Sequence, residues 1–172
     1  VYSEFGHGTV FHLLFPLAAD HQHVPAEVPK EPISGKGRIL VIDDEHSIRI
    51  SVEAILCDLG YDVLLAENGA EGVQTYEERH AEIDLVLLDM SMPQMNGREC
   101  FRHLKQINAH VRVIVASGFF RDDEMATFKS EGVQSVIRKP YRLVELSWMI
   151  DACLRDDAER LRVLDRQMNT EK

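Results

Sequence analysis

Cysteine, clustered positive charge and long apolar runs are all scarce in this sequence. Its three cysteines lie far apart and form no C-x-x-C pair, which argues against a disulfide framework or a zinc site. We expect each of them to be buried as a small apolar residue. The longest apolar stretch near the start, residues 10–19, is interrupted by His12 and Pro16 and is too short to span a bilayer. No basic leading segment of a signal peptide precedes it, so we expect a cytoplasmic location without direct membrane contact.

The charge balance also excludes a class of partner. The formal net charge is −10, and no run of lysine or arginine interrupts it. Nucleic acids bind through basic patches, so a nucleic-acid partner is not expected. The acidic excess is explained either by solubility alone or by a local acidic cluster that needs a cation.

A proline-containing segment, residues 20–36, divides the chain. It holds three prolines and shows no apolar periodicity, which predicts a semi-extended linker. We interpret residues 1–19 as the end of a preceding domain, residues 37–154 as the main domain and residues 155–172 as a helical extension.

Strand-like and helical patterns alternate after the linker. The strand-like runs are Arg38–Ile42, Tyr61–Ala66, Asp84–Leu88, Val111–Ala116 and Val133–Arg138. The helical windows are about His46–Leu59, Gly69–His80, Met95–Asn108, Asp122–Ser130 and Arg142–Leu154. Within these runs, Ile39–Ile42 and Leu85–Leu88 are apolar throughout, which is typical of strands buried on both faces. This alternation predicts an α/β fold, a doubly wound five-stranded parallel sheet with helices on both faces.

Polar side chains follow four of the five predicted strands. Asp43 and Asp44 follow the first, Asp89 the third, Ser117 the fourth and Lys139 the fifth. Each has a simpler explanation when taken alone, such as helix capping for the aspartates or an ordinary loop residue for the others. Because open α/β sheets bind ligands beyond the carboxyl ends of their strands, we expect these side chains to converge on one site.

Such a set of side chains favours phosphoryl transfer. Three close carboxylates raise one another's pKa unless a cation intervenes, and oxygen ligands suit Mg²⁺ or Mn²⁺. Lys139 offers a positive charge and Ser117 a hydroxyl donor for phosphoryl oxygens. Asp89 is then the oxygen nucleophile that forms an aspartyl-phosphate.

Five short segments also carry a family resemblance: Ile39–Glu45, Leu87–Pro93, Asn96-Gly97, Ala116–Gly118 and Arg138–Tyr141. Through them, residues 38–154 resemble the response-regulator receiver domains of two-component signalling. The resemblance implies a flavodoxin-like sheet with strand order 2-1-3-4-5. It also implies that the chain takes a phosphoryl group from a histidine kinase or a histidine phosphotransfer domain.

The same resemblance implies ligands for the cation. Asp44 and Asp89 would bind Mg²⁺ directly and Asp43 through water, while the main-chain carbonyl of Ser91 would complete the protein ligands. Asp89 would be the phosphoacceptor.

One position departs from the family pattern. Ser117 and Lys139 would contact the phosphoryl group and shift the surface built from the fourth helix, fifth strand and fifth helix. Receivers usually carry an aromatic switch residue three positions before the lysine, and here that residue is Val136. Phosphorylation is expected to remain, whereas coupling through an aromatic rotamer is not.

The first residues of the chain suggest a longer parent protein. Residues 6–16 resemble the last glycine box and final strand of a histidine-kinase ATP-binding domain, although an ordinary glycine turn before a strand is the alternative. The resemblance implies a hybrid histidine kinase, attached to a membrane or not, and we expect no ATP binding or hydrolysis by this fragment. We expect Thr9–Phe15 to pack on its own domain or on a neighbouring copy.

After residue 154 the apolar residues recur at heptad-like steps, at Ile150, Leu154, Leu161, Leu164 and Met168. This pattern fits either a pairing helix or a solvent-facing extension of the fifth helix. A homodimer through this helix or the N-terminal strand is therefore one expectation, and the remaining length is too short for a DNA-binding output domain.

Two other functions compete with the receiver. Haloacid-dehalogenase-like phosphatases also use an aspartate nucleophile and Mg²⁺, but they carry Asp-x-Asp after the first strand, whereas Asp43 and Asp44 are adjacent. A receiver-like interaction module that no longer takes phosphate is the second alternative, and Val136 is the residue that supports it.

Overall fold

A computed structural model of the chain describes residues 1–10, 12, 31–118, 127–128, 130–156, 161 and 164. The strands in these residues are β1 (Tyr2–Glu4), β2 (Gly8–Val10), β3 (Arg38–Ile42), β4 (Asp62–Ala66), β5 (Leu85–Asp89), β6 (Val113–Ser117) and β7 (Ser135–Arg138). The helices are α1 (His46–Asp58), α2 (Gly69–Arg79), α3 (Gly97–Ile107) and α4 (Leu143–Leu154), with a 3₁₀ turn at His80–Glu82. Each helix in the described part is too short or too polar to cross a membrane.

Five parallel strands form one sheet in the order β4-β3-β5-β6-β7. Counted from β3, this is the predicted order 2-1-3-4-5, so the flavodoxin-like fold is confirmed. β3 and β5 are neighbours at the centre, and β6 joins β5 with Asp89 opposite Ala116. On the far side of β6, Ser117 lies opposite Arg138. The carboxyl ends of β3, β5, β6 and β7 therefore meet at one edge.

The apolar residues of the strands divide between two core layers. Along β3, Leu40 and Ile42 enter the layer that α2 and α3 cover, while Ile39 and Val41 enter the layer beneath α1 and α4. Alternate side chains of a strand point to opposite faces, which explains why β3, β5 and β6 are apolar on both faces apart from the polar residues at their ends. Each fully buried leucine or isoleucine contributes about 1.5–3 kcal/mol of transfer free energy.

Capping residues fix where the helices begin. The Asn96 side chain accepts a hydrogen bond from the Glu99 amide, and the Glu99 carboxylate accepts one from the Asn96 amide. This capping box starts α3 at Gly97, two residues later than the apolar pattern predicted. Strands β6 and β7 likewise begin two residues later than predicted, at Val113 and Ser135.

The fourth predicted helix is described only in part. Thr127, Phe128, Ser130 and Glu131 are helical, and the remainder of the predicted window Asp122–Ser130 lies outside the described residues.

Residues 31–36, which we call the N-terminal strap, are hydrogen-bonded to the domain, although the sequence places them in the linker. The Trp148 indole donates to the Glu31 carbonyl at 2.9 Å, and the Ile33 amide donates to the Ser147 hydroxyl at 3.1 Å. The Gly35 amide donates to the Leu59 carbonyl at 2.9 Å. The strap thus contacts α4 and the end of α1, while residues 20–30 lie outside the described residues.

The first residues form a small antiparallel hairpin. β1 pairs with β2, with Tyr2 opposite Val10, and Gly6 adopts a φ of 82° in the turn. β2 overlaps the predicted strand Thr9–Phe15 at Thr9 and Val10, whereas its partner β1 was not predicted. The side chains of Tyr2, Phe5 and Val10 are exposed. Most of the segment Thr9–Phe15 lies outside the described residues, so its predicted packing remains a prediction.

The described residues after α4 are Arg155, Asp156, Leu161 and Leu164. Helix α4 ends at Leu154, and Asp156 adopts a left-handed φ of 54°. Leu161 and Leu164 are helical again, and Leu164 is 5% exposed and packs in the same core layer as Ile150. A solvent-facing extension is therefore wrong for Leu164, and Met168 lies outside the described residues.

The cysteines follow the prediction at two of three positions. Cys100 and Cys153 are buried, but Cys57 near the end of α1 is exposed. The expectation of burial was wrong at Cys57 because its position turns away from the apolar side of α1, where Val52 and Leu56 are buried.

Candidate functional site

Three aspartates converge at the carboxyl edge of the sheet. Asp43 directly follows β3, Asp44 comes next, and Asp89 ends the neighbouring strand β5. Each offers a carboxylate oxygen, and these oxygens all lie within 4.8 Å of one another. Asp43 and Asp89 are buried, whereas Asp44 is exposed. The parallel register of β3 and β5 thus brings together carboxylates that are more than forty residues apart in the chain.

Lys139 joins this cluster from the end of β7. Its ammonium nitrogen lies 2.6 Å from Asp43 Oδ2 and 2.9 Å from Asp89 Oδ1. These contacts are charge-assisted hydrogen bonds, which are stronger than hydrogen bonds between neutral groups. One ammonium against three carboxylates leaves the cluster with an excess of negative charge.

Burial and charge shift the pKa values of the paired groups. Burial raises the pKa of Asp89, and the nearby Asp43 and Asp44 carboxylates raise it further, while Lys139 opposes them. Burial alone would lower the pKa of Lys139, but its hydrogen bonds to Asp43 and Asp89 outweigh that effect and raise it. Lys139 therefore remains a cation beside a carboxylate that is costly to ionise.

Two further groups hold Asp43 in place. The Glu45 amide donates to Asp43 Oδ1 at 2.9 Å, and an Arg49 guanidinium nitrogen donates to the Asp43 carbonyl oxygen at 2.7 Å. Arg49 is a buried residue of α1. We did not single it out from the sequence, although an arginine on the apolar side of a helix that follows an acidic pair is a usable signal.

The loop after β5 approaches the site closely at Gly97. A Cβ atom at this position would lie 2.4 Å from the Asp89 carbonyl oxygen and 2.7 Å from the Met90 Cα. Only glycine leaves room for α3 to begin against the backbone of Asp89. The Asn96-Gly97 pair in the sequence is thus a capping residue followed by a close-contact glycine.

The remaining predicted residues are Ser117, Ser91 and Val136. Ser117 ends β6 and is buried, and its carbonyl accepts a hydrogen bond from the Lys139 amide at 2.7 Å. Ser91 is exposed in the loop two residues after Asp89. Val136 is 1% exposed and packs in the layer that α2 and α3 cover, so it contributes apolar packing there.

Tyr141 is a neighbour of the site that the residue pattern did not assign a role. Burial raises the pKa of its hydroxyl, and the negative charges of Asp43 and Asp89 raise it further. The ring packs against the core layer of α1 and α4 and therefore links the acidic edge to the start of α4.

Comparisons with known proteins agree with this architecture. A family model described as the response regulator receiver domain matches residues 39–151. The chain is 35% identical over 106 residues to the chemotaxis protein CheY of Bacillus subtilis, covering 61% of this chain and 87% of that protein. It is 29% identical over 161 residues to the sensor kinase CckA of Brucella abortus, covering 88% of this chain but only 17% of the kinase.

A solved structure shows the same fold. The receiver domain protein of Clostridium thermocellum superposes with a TM-score of 0.67 at 33% identity, covering 70% of this chain and 96% of that structure.

Proposed function

Because this chain belongs to the response regulator receiver family, we propose that it takes a phosphoryl group from a phosphohistidine donor onto Asp89. The arrangement of Asp43, Asp44 and Asp89 around the Lys139 ammonium supports this proposal most directly. It combines a carboxylate nucleophile, oxygen ligands for a cation and a fixed positive charge at one edge of the sheet.

The reaction is a displacement at phosphorus. A carboxylate oxygen of Asp89 attacks the phosphorus of the phosphohistidine donor, and the phosphorus–nitrogen bond breaks. The bonding electron pair stays on the imidazole nitrogen. The imidazole takes up a proton if the ring would otherwise carry a negative charge. The product is an acyl phosphate on Asp89, which water later hydrolyses to return the carboxylate and inorganic phosphate.

The donor set fits a hard divalent cation. The carboxylates of Asp43, Asp44 and Asp89 and the main-chain carbonyl of Ser91 are the oxygen ligands that would hold Mg²⁺ or Mn²⁺. When bound, the cation neutralises charge between these carboxylates and the transferring phosphoryl group. The pKa of Asp89 is raised mainly by burial, so a bound cation would help this carboxylate to stay ionised.

Lys139 and Ser117 act on the phosphoryl oxygens. Lys139 already holds the Asp89 carboxylate by a hydrogen bond, so its ammonium is within reach of a group attached to that carboxylate. Ser117 ends the strand next to β5 and offers its hydroxyl at the same edge. Together they would stabilise the equatorial charge that develops in transfer.

The expected phosphodonor is a histidine kinase or a histidine phosphotransfer domain. A hybrid histidine kinase is the parent that we propose, because the alignment with the Brucella kinase covers more of this chain than residues 37–172 could supply. The antiparallel pairing of β1 and β2 supports a folded element ahead of the receiver. Sequencing the reading frame upstream of this segment tests the proposal, and the absence of a kinase domain there would refute it.

Intact-mass spectrometry tests the phosphorylation directly. The chain and its Asp89→Asn variant are incubated with Mg²⁺ and acetyl phosphate, with a chelator in a parallel sample. We expect one phosphoryl group on the parent in Mg²⁺ and none on the variant or in the chelator. Equal addition to both proteins would show that Asp89 is not the acceptor.

A receiver-like interaction module remains the second candidate. The observation that favours it is the buried Val136 at the position of the usual aromatic switch. No phosphoryl addition to the folded parent, with Mn²⁺ binding retained, would favour this alternative.

A further inference from the structure

We propose that Arg49 is a positioning residue that orients the Asp43 carboxylate for cation binding. The proposal rests on the cation-dependent function proposed above and assigns a role to a residue outside the acidic cluster.

Arg49 reaches the site from the first turns of α1. One guanidinium nitrogen donates to the Asp43 carbonyl oxygen at 2.7 Å, and another lies 3.9 Å from the Glu67 carboxylate. The side chain of Arg49 is 10% exposed, whereas that of Glu67 is 69% exposed. The exposed and distant ion pair with Glu67 contributes little, so the carbonyl of Asp43 is the main partner of Arg49.

Asp43 is thereby held at three atoms. Its carbonyl oxygen accepts from Arg49, its Oδ1 from the Glu45 amide and its Oδ2 from Lys139. A cation that binds the acidic cluster competes with the Lys139 ammonium for the same carboxylates. When Lys139 is drawn away, the Glu45 amide still holds the Asp43 carboxylate, and Arg49 still holds the Asp43 main chain from which that carboxylate projects.

Anchoring α1 does not by itself require an arginine. The other buried positions that α1 shows are Val52 and Leu56, which pack as apolar residues. Burying a guanidinium is costly unless it is paired, and an aliphatic residue would fill the same position at lower cost. A charged residue at this buried position, aimed at the last carbonyl before Asp44, therefore indicates a role in the site.

The direction in which cation affinity changes on replacing Arg49 separates three possible roles of this residue. Losing a positive charge near three carboxylates strengthens cation binding if Arg49 acts only through its charge. A residue that only stabilises the fold leaves the affinity of the folded protein unchanged. Losing a group that orients a ligand weakens metal binding, commonly by at least 10-fold.

The experiment measures Mn²⁺ affinity by electron paramagnetic resonance on the full chain without any phosphodonor. We expect Arg49→Met to bind Mn²⁺ about 10-fold more weakly and Arg49→Lys, which keeps the charge and a donor, to fall between it and the parent. Arg79→Met is the matched control, because Arg79 is an exposed arginine of α2 that pairs with Glu82. Urea unfolding shows that each variant is folded under the binding conditions.

Unchanged or tighter Mn²⁺ binding by folded Arg49→Met would overturn the proposal. If Arg49→Met does not fold, Arg49→Lys decides, and an affinity equal to that of the parent would then overturn it. Failure of the proposed function is separate: a parent that binds Mn²⁺ but accepts no phosphoryl group refutes phosphotransfer and leaves the test of Arg49 intact.

Discussion

The ammonium of Lys139 lies 2.9 Å from the carboxylate of Asp89 and therefore holds the proposed nucleophile before any donor arrives. The same ammonium contacts Asp43 at 2.6 Å, so Lys139 supplies part of the positive charge that a divalent cation would bring to these carboxylates. A cation bound as proposed would therefore compete with the Lys139 ammonium for the carboxylates of Asp43 and Asp89.

This competition predicts opposite effects of one substitution. Lys139→Met should bind Mn²⁺ several-fold more tightly, because a competing positive charge is gone. The same variant should accept a phosphoryl group from acetyl phosphate at least 10-fold more slowly, because removing one charge-stabilising donor costs about that much or more. Lys105→Met is a suitable control. Lys105 lies near the end of α3, away from the site, and donates to the Glu131 carbonyl. Weaker Mn²⁺ binding by Lys139→Met would contradict the competition.

Replacing Asp89 should stabilise the metal-free protein. The pKa of Asp89 is raised in the folded state, so its ionised form disfavours folding at pH values above that raised pKa. In a chelator at neutral pH, Asp89→Asn should increase the free energy of unfolding by on the order of 1 kcal/mol. The gain should shrink as the pH falls through the raised pKa and should disappear below the ordinary pKa of aspartate, where Asp89 is protonated in both states. Urea unfolding at neutral and acidic pH measures it.

Added Mg²⁺ should reduce that difference. The cation binds the folded parent and stabilises it in proportion to its binding. A gain in stability for Asp89→Asn that persists unchanged from neutral to acidic pH would contradict the charge-based explanation.

Gly97 should not tolerate alanine. The added Cβ would meet backbone atoms of Asp89 and Met90 that cannot move away without shifting β5. Gly97→Ala should therefore lower the free energy of unfolding by about 1–3 kcal/mol. Gly118→Ala is the matched control, because no atom in the described part of the chain lies within 4 Å of a Cβ there. Equal urea midpoints for the two variants would show that the contact is not limiting.

Val136 should contribute to packing without contributing to chemistry. Val136→Ala removes two buried methyl groups from the core layer of α2 and α3, at a cost of about 1–2 kcal/mol. Its rate of phosphorylation by acetyl phosphate should stay within about twofold of the parent when both proteins are folded. A large loss of rate would instead make Val136 part of the site.

The N-terminal strap should open when its partner on α4 is removed. Ser147→Ala deletes the acceptor of the Ile33 amide and should cost about 1 kcal/mol. Amide hydrogen exchange at Ile33 should then accelerate, while exchange in β5 stays slow. Ser51→Ala offers a control hydroxyl on α1, where the Ser51 hydroxyl donates to the Ser47 carbonyl. Unchanged exchange at Ile33 would show that this hydrogen bond does not hold the strap.

The sequence was sufficient for those features that depend on short-range pattern. Short runs rich in β-branched residues and leucine identified all five strands of the sheet, and the chemistry of the residues after them located Asp43, Asp89 and Lys139 at one edge. Strand order followed from the family resemblance, because periodicity by itself does not state which strands are neighbours.

Features that depend on distant or directional contacts were not predictable in this way. The strap is held by Trp148, which is 117 residues from its partner Glu31, and local polarity there resembles that of a free linker. Arg49 was missed because its partner is a backbone carbonyl, which every residue possesses. The start of α3 was misplaced because the Asn96 side chain caps the helix and makes Gly97 its first residue, which the apolar pattern does not show.

The strap also changes where the domain can be cut. A receiver excised at Gly37, where the sequence pattern begins, would lose two hydrogen bonds. The Glu31 carbonyl would no longer accept from the Trp148 indole, and the Ile33 amide would no longer donate to the Ser147 hydroxyl. It would also uncover Tyr61, whose ring approaches Gly35 too closely for any larger residue there. We therefore predict that the autonomous unit includes the strap at least from Glu31 onward, and that domain exchange between related proteins works better with a junction before that residue.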